Sequence, residues 1–142
     1  MDSLPIFLNI KQRDCRVVGG GQVAARKVAL LKKAGSSITV ISPELCDDLS
    51  AMAAANSISH IERNFEDADI SNQANIIAST DDRKVNQRIS AIAQEKGIPV
   101  NVVDNPDLCS FLMPSIIDRS PVQIAISTGG ASPVLARLLR GR

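Results

Sequence analysis

The chain has 142 residues, 44% of them apolar, which suits one domain with a sizeable core and falls short of a complete two-domain dehydrogenase. Lys and Arg number 16 against 15 Asp and Glu, so no chain-wide basic field exists to hold nucleic acid by its phosphates. No apolar stretch approaches the roughly 20 residues that span a bilayer, and Met1 to Ile10 lacks a basic start followed by an apolar core, so a soluble, cytoplasmic protein with no membrane or nucleic-acid partner is expected.

Apolar runs alternate with helix-period segments along the chain, the pattern of parallel strands joined by crossover helices. Arg16 to Gly19 reads as the first strand. Val23 to Ala34 follows as a helix with Ala24, Val28 and Leu31 on one face, Arg26 and Lys33 on the other, and Gly35 as its stop. Ile38 to Ser42 is a second strand, Leu45 to Asn56 a second helix with Leu45, Leu49 and Met52 inward, and Ile58 to Glu62 a third strand. Asn75 to Ser79 is the fourth. Thr80-Asp81-Asp82 supplies cap-type side chains to a helix carrying Val85, Ile89, Ile92 and Ala93 at helical spacing, with Lys96-Gly97 as its end. Val100 to Val103 is the fifth strand.

Beyond Asn105-Pro106-Asp107 the pattern changes. Pro114 to Asp118 and Val122 to Ser127 are extended segments joined by Asp118-Arg119-Ser120-Pro121, a hairpin whose Val122, Ile124 and Ile126 form an apolar face in need of cover. Thr128-Gly129-Gly130-Ala131-Ser132-Pro133 then leads into a helix only about two turns long when the sequence stops, so a longer natural protein is expected. Residues 1–113 are thus read as a nucleotide-binding domain and 114–142 as the start of a further region.

The chemistry is expected beyond the carboxyl ends of the strands. Gly19-Gly20-Gly21-Gln22-Val23-Ala24 joins strand to helix with the spacing G-x-G-x-x-A, in which glycines allow a sharp turn and close backbone approach to a pyrophosphate, while the helix aims unpaired N–H groups at it. Glycine triplets also serve as ordinary turns. The second strand ends at Ser42-Pro43-Glu44, where an acid commonly grips the ribose of NAD. Glu44 is either that group or a first-turn acid of the next helix, and with no arginine beside it NAD is favoured over NADP. Asp104, closing an apolar strand, is either a desolvated proton-transfer group with a raised pKa or the cap of the Asn105-Pro106 turn. Asp81 and Asp82 read as helix caps. Ser127, Thr128 and Gly129 open a second glycine-rich turn, which suits an anionic group or is a plain helix entry.

Other side chains exclude more than they suggest. Cys15, Cys46 and Cys109 are too far apart for a two-cysteine metal knuckle, and His60, the only histidine, reads as a surface residue with no second ligand near it, so no resident metal site is expected. Tyrosine is absent, which removes the Tyr-x-x-x-Lys acid of one large dehydrogenase class.

The residues picked out coincide with a known pattern. Asp14-Cys15-x-Val17-Val18-Gly19-Gly20-Gly21-x-Val23-Ala24-x-Arg26-Lys27, Asn101-Val102-Val103-Asp104, Ser110-Phe111-x-Met113-Pro114-Ser115-Ile116-Ile117-Asp118-Arg119-Ser120-Pro121 and Gly129-Gly130-x-Ser132-Pro133-Val134-Leu135-Ala136-Arg137 resemble the amino-terminal module of siroheme synthase, the precorrin-2 dehydrogenase and sirohydrochlorin ferrochelatase family. The resemblance implies a Rossmann-like parallel sheet with a C-terminal strand pair and helix for homodimerisation. It implies NAD-dependent oxidation of precorrin-2, then insertion of ferrous iron, a substrate rather than a protein-bound metal, with Asp104 serving both steps. It further suggests that Gln22, Val23, Pro43 and Glu44 contact NAD largely through backbone; with the residues at the strand ends, the NAD site is read as the glycine turn, Gln22, Val23, Ser42, Pro43, Glu44 and Thr80, and the second glycine-rich turn at Ser127, Thr128 and Gly129 as the place of the tetrapyrrole. The rival from another class is a non-catalytic NAD-sensing Rossmann module.

Overall fold

The computed structural model describes residues 1–127. The chain divides into two compact units, Leu8–Ser110 and a second made of Met1–Phe7 with Phe111–Arg142, so the first seven residues fall with the C-terminal part and not with the nucleotide domain.

Leu8–Ser110 holds a parallel sheet of five strands: β1 (Asp14–Val18), β2 (Ser37–Ile41), β3 (Ser59–Ile61), β4 (Asn75–Ala78) and β5 (Val100–Val102). Their spatial order is β3-β2-β1-β4-β5. The helices α1 (Gln22–Lys33), α2 (Asp47–Ala54) and α3 (Arg83–Glu95) alternate with the strands. The chain winds outward from β1 to β3, then crosses back to lay β4 against the other side of β1, and that reversal opens a crevice at the carboxyl ends of β1 and β4.

Composition explains the layering. Strands covered on both faces need continuous apolar runs, and the interior strand β4, Asn75-Ile76-Ile77-Ala78, is buried at every position. Val17, Val28, Val40, Ile76, Ile77 and Val100 are fully buried, each side chain contributing roughly 1.5–3 kcal/mol of burial. On α1 the buried residues are Ala24, Ala25, Val28 and Leu31, the face expected from the spacing, and on α3 they are Ile89, Ser90, Ile92 and Ala93. The left-handed Gly35 (φ +82°) and Gly97 (φ +70°) follow the ends of α1 and α3 as read from sequence.

Helix α2 is shorter than the periodicity predicts. It begins at Asp47, because Ser42 to Cys46 is held in a loop by its own hydrogen bonds, described below. Between β3 and β4 lies a short 3-10 turn, Asp67–Asp69, that the sequence reading lacked. Its Asp69, 3% exposed, accepts two hydrogen bonds from Arg63 (2.9 and 2.7 Å) and one from the Glu66 N–H (2.8 Å), while Arg16 of β1 donates to the Asp69 carbonyl (2.8 Å). This cluster ties the returning crossover to the sheet. The Arg63 hydrogen bonds hold the Asp69 carboxyl below the ordinary aspartate range.

In the second unit, β6 (Ser115–Arg119) and β7 (Val122–Ile126) form the expected antiparallel hairpin, with Ile117 opposite Ile124 and a cis Ser120–Pro121 peptide in the turn. Val122 and Ile124 are exposed. The predicted C-terminal helix lies outside the described residues.

Candidate functional site: a glycine turn between two clasped loops

The glycine turn sits where β1 hands over to α1, and its three glycines have separate reasons. Gly19 takes φ +128°, and a Cβ there would stand 2.5 Å from the carbonyl oxygen of Ser79, beyond β4. A Cβ on Gly20 would fall 1.9 Å from the Glu44 carbonyl oxygen. These two positions must be glycine for the fold itself. Gly21 differs: it has ordinary extended backbone (φ −91°, ψ −170°), and a Cβ there meets no atom within 4 Å. What Gly21 leaves free is space outside the chain, at the amino end of α1.

That helix end is prepared for an anion. Gly21 is its N-cap, no side chain caps it, and its first turn holds no acid. The other described helices at this edge are closed to anions. In α3 the Asp82 carboxylate accepts from the N–H groups of Lys84 (2.9 Å) and Val85 (3.3 Å), as its sequence position suggested, and the first turn of α2 carries Asp47 and Asp48. Unpaired N–H groups and the positive end of the helix dipole are therefore presented by α1 beside an open cradle. Gln22 is exposed and Val23 half-buried at its start, and Ala24, fully buried, lets the helix pack closely on the sheet. These residues fit the pyrophosphate of a dinucleotide.

Flanking loops are built from their own hydrogen bonds. On the β2 side, the buried Ser42 donates its hydroxyl to the Glu44 carbonyl (2.7 Å) and its N–H to Ile61 (3.2 Å), and its carbonyl accepts from the His60 Nε2–H (2.8 Å). The Cys46 N–H donates to the Gly20 carbonyl (2.7 Å), locking this loop onto the glycine turn. Two expectations change. His60 is not a surface side chain but a half-buried clasp on Ser42, and Glu44 is not a first-turn helix acid, since α2 starts three residues later. Pro43 and Glu44 are exposed at the strand end, and the nearest following cation, Arg63, is engaged by Asp69 and Glu66.

On the β4 side, Thr80 donates its hydroxyl to Asn86 Oδ1 (2.7 Å), and Asn86 Nδ2 donates to the Thr80 carbonyl (3.0 Å). The hydroxyl of Thr80 is thus a fastener of the β4–α3 turn. The sequence reading gave Asn86 no site role, although its position one turn into α3 beneath a cap sequence was the available signal.

Asp104 stands at the carboxyl end of β5, two strands from the glycine turn on the same edge of the sheet. It is exposed, not the desolvated group expected, and the turn reading is altered too. Its left-handed backbone (φ +61°) forms the turn closed by Asn105 N–H to Val102 carbonyl (3.2 Å), while its carboxylate has no hydrogen-bond partner among the described residues. Aspartate is among the residues that adopt this conformation most readily, and here it holds the carboxylate at the carboxyl edge of the sheet. Ser127 belongs to the other unit and is exposed; Thr128 and Gly129 lie outside the described residues. Among the described residues no group of three or more His, Cys, Asp or Glu could hold a metal ion, and no helix is long and apolar enough to cross a membrane.

Fold and site together define a Rossmann-type dinucleotide-binding domain. Comparison with known proteins agrees: a family model described as putative NAD(P)-binding matches residues 6–115, and one described as sirohaem biosynthesis protein central matches residues 119–142. The chain therefore belongs to the putative NAD(P)-binding family, and its likeness to siroheme synthase agrees with the sequence resemblance. Siroheme synthase of Thioalkalivibrio sulfidiphilus is 56% identical over 142 residues, and that of Nitrosomonas europaea 54% over 143 residues. All of this chain is covered in both, but only 29% and 30% of those proteins, so the chain spans about three tenths of their length. Among solved structures it is similar to SirC, a precorrin-2 dehydrogenase, with TM-score 0.83 and 27% identity over 98% of this chain and 68% of that one.

Proposed function

We propose that the chain is the dehydrogenase module that oxidises precorrin-2 to sirohydrochlorin with NAD. The observation that carries this reading is the pairing, on one sheet edge, of an uncapped α1 amino terminus with the unengaged carboxylate of Asp104. The likeness to a precorrin-2 dehydrogenase over 98% of the chain supports the choice of substrate.

Bound NAD supplies the acceptor for a hydride. The chain's own part is to hold and to deprotonate: α1 and the glycine turn bind the pyrophosphate, and Pro43 and Glu44 flank the ribose. Glu44, exposed with no free arginine beside it among the described residues, disfavours the extra phosphate of NADP and so selects NAD. Asp104 accepts the proton released as the hydride leaves, which balances a two-electron oxidation. Its carboxylate is exposed at the ligand edge of the sheet, where the proton can be received. In a following step, ferrous iron enters the macrocycle as substrate, and Asp104 receives pyrrole N–H protons as it does so. The tetrapyrrole is held in part by Ser127, Thr128 and Gly129, in a homodimer built through the C-terminal region.

Spectroscopic assay with precorrin-2 and NAD, on this chain and on one extended to the length of its relatives, tests the reading. NADH should form in step with loss of precorrin-2. Binding of NADH without any turnover in either chain would favour a cofactor sensor instead.

A further inference from the structure

His60 lies on β3, outside every residue assigned to the cofactor, yet it is half-buried and directs Nε2–H at the Ser42 carbonyl at 2.8 Å. Ser42 is held at three points. Its N–H is bound to Ile61, its hydroxyl to Glu44, and the Glu44 carbonyl in turn occupies the space that a Gly20 side chain would need. From His60 the contacts run without a break to the glycine turn, through backbone atoms that any residue at Pro43 or Glu44 would share. We propose that His60 is a positioning residue for the dinucleotide site, setting the height of the Ser42–Glu44 loop over the cradle at Gly21. This rests on the NAD reading above.

The role needs a donor at Nε2 and no change of charge. Both the neutral Nε2–H tautomer and the imidazolium provide it, so the clasp survives protonation. A ring of similar size without the donor leaves the Ser42 carbonyl, inside a buried residue, short of its partner, and the loop relaxes away from the glycine turn.

The test is NADH binding by the chain and its variants, read from NADH fluorescence, which no Trp or Tyr of the protein obscures. His60→Phe should weaken NADH about tenfold, the equivalent of one hydrogen bond of ordinary strength. His60→Gln, which restores an N–H donor, should recover most of that loss. Ser42→Ala, which cuts the next link, should weaken binding by a similar factor, and the double variant His60→Phe/Ser42→Ala should bind hardly worse than either single one. Equal affinity of His60→Phe and wild type, full additivity of the two losses, or equal losses in His60→Phe and His60→Gln would overturn the assignment. If the wild-type chain itself binds no NADH, the NAD reading fails and this inference with it, whereas wild-type binding that His60→Phe leaves unchanged defeats this inference alone. Should His60→Phe fail to fold, His60→Gln against Ser42→Ala still decides it: a Gln variant as weak as the Ala variant contradicts the donor role.

Discussion

Gly20 and Glu44 are packed so closely that a methyl group on Gly20 would lie 1.9 Å from the Glu44 carbonyl oxygen. The glycine turn and the loop after β2 are thus one interlocked piece, held further by Cys46 N–H on the Gly20 carbonyl. Gly20→Ala forces them apart against backbone atoms that cannot rotate away. It should lower stability by roughly 1–3 kcal/mol, the range for overpacking, and weaken NADH more than tenfold, checked by thermal melting and by fluorescence titration.

Gly21→Ala should separate the two properties. Its backbone is one any residue adopts and its Cβ meets open space, so stability should change by less than about 1 kcal/mol, the modest cost of Ala for Gly at an N-cap. Dinucleotide affinity should nevertheless fall at least tenfold, because the methyl group fills the cradle at the helix end. Melting and titration on the same preparation measure both.

The Asp69 cluster makes a pH prediction. Its folded-state pKa lies below the unfolded value, chiefly through the Arg63 hydrogen bonds, so its stabilisation is fully present above the unfolded pKa, roughly 4, and is lost as pH falls through the folded one. Melting temperature should therefore drop as pH is lowered from about 5 to 3. In Asp69→Asn the Arg63 guanidinium loses its carboxylate, which should cost about 2–3 kcal/mol at pH 7 and flatten that acid limb.

Asn86→Ala removes the clasp on Thr80. The residue lies one turn into α3, half-buried, and its bonds to Thr80 are partly shielded from water, so the loss should be about 1–2 kcal/mol of stability, with a rise in the NAD concentration needed for half-maximal rate. Steady-state kinetics against NAD checks this.

Much of this was legible in the chain. Continuous apolar strands, amphipathic α1 and α3, and the glycines that end them gave the parallel sheet, because each is a local preference that agrees with the global fold. Local pattern could not show what depends on chain segments meeting. The reason for Gly20 lies at Glu44, the role of His60 at Ser42, and the fit of Asp69 at Arg16 and Arg63. Each of these pairs or clusters brings residues from separate elements into contact, and periodicity carries no such information. Asp104 was singled out by its place after a strand, but its exposure and left-handed backbone belong to the turn that Asn105 closes on Val102.

The central claim is that Asp104 moves the proton while the glycine turn holds the cofactor. Asp104→Asn is the direct test, since Asn also tolerates the left-handed backbone and keeps the turn. The variant should melt as the wild type does and bind NADH with unchanged affinity, while oxidation of precorrin-2 by NAD falls at least a hundredfold, the lower range for loss of a general base. Oxidation at the wild-type rate in Asp104→Asn, with NADH binding intact, would contradict the account.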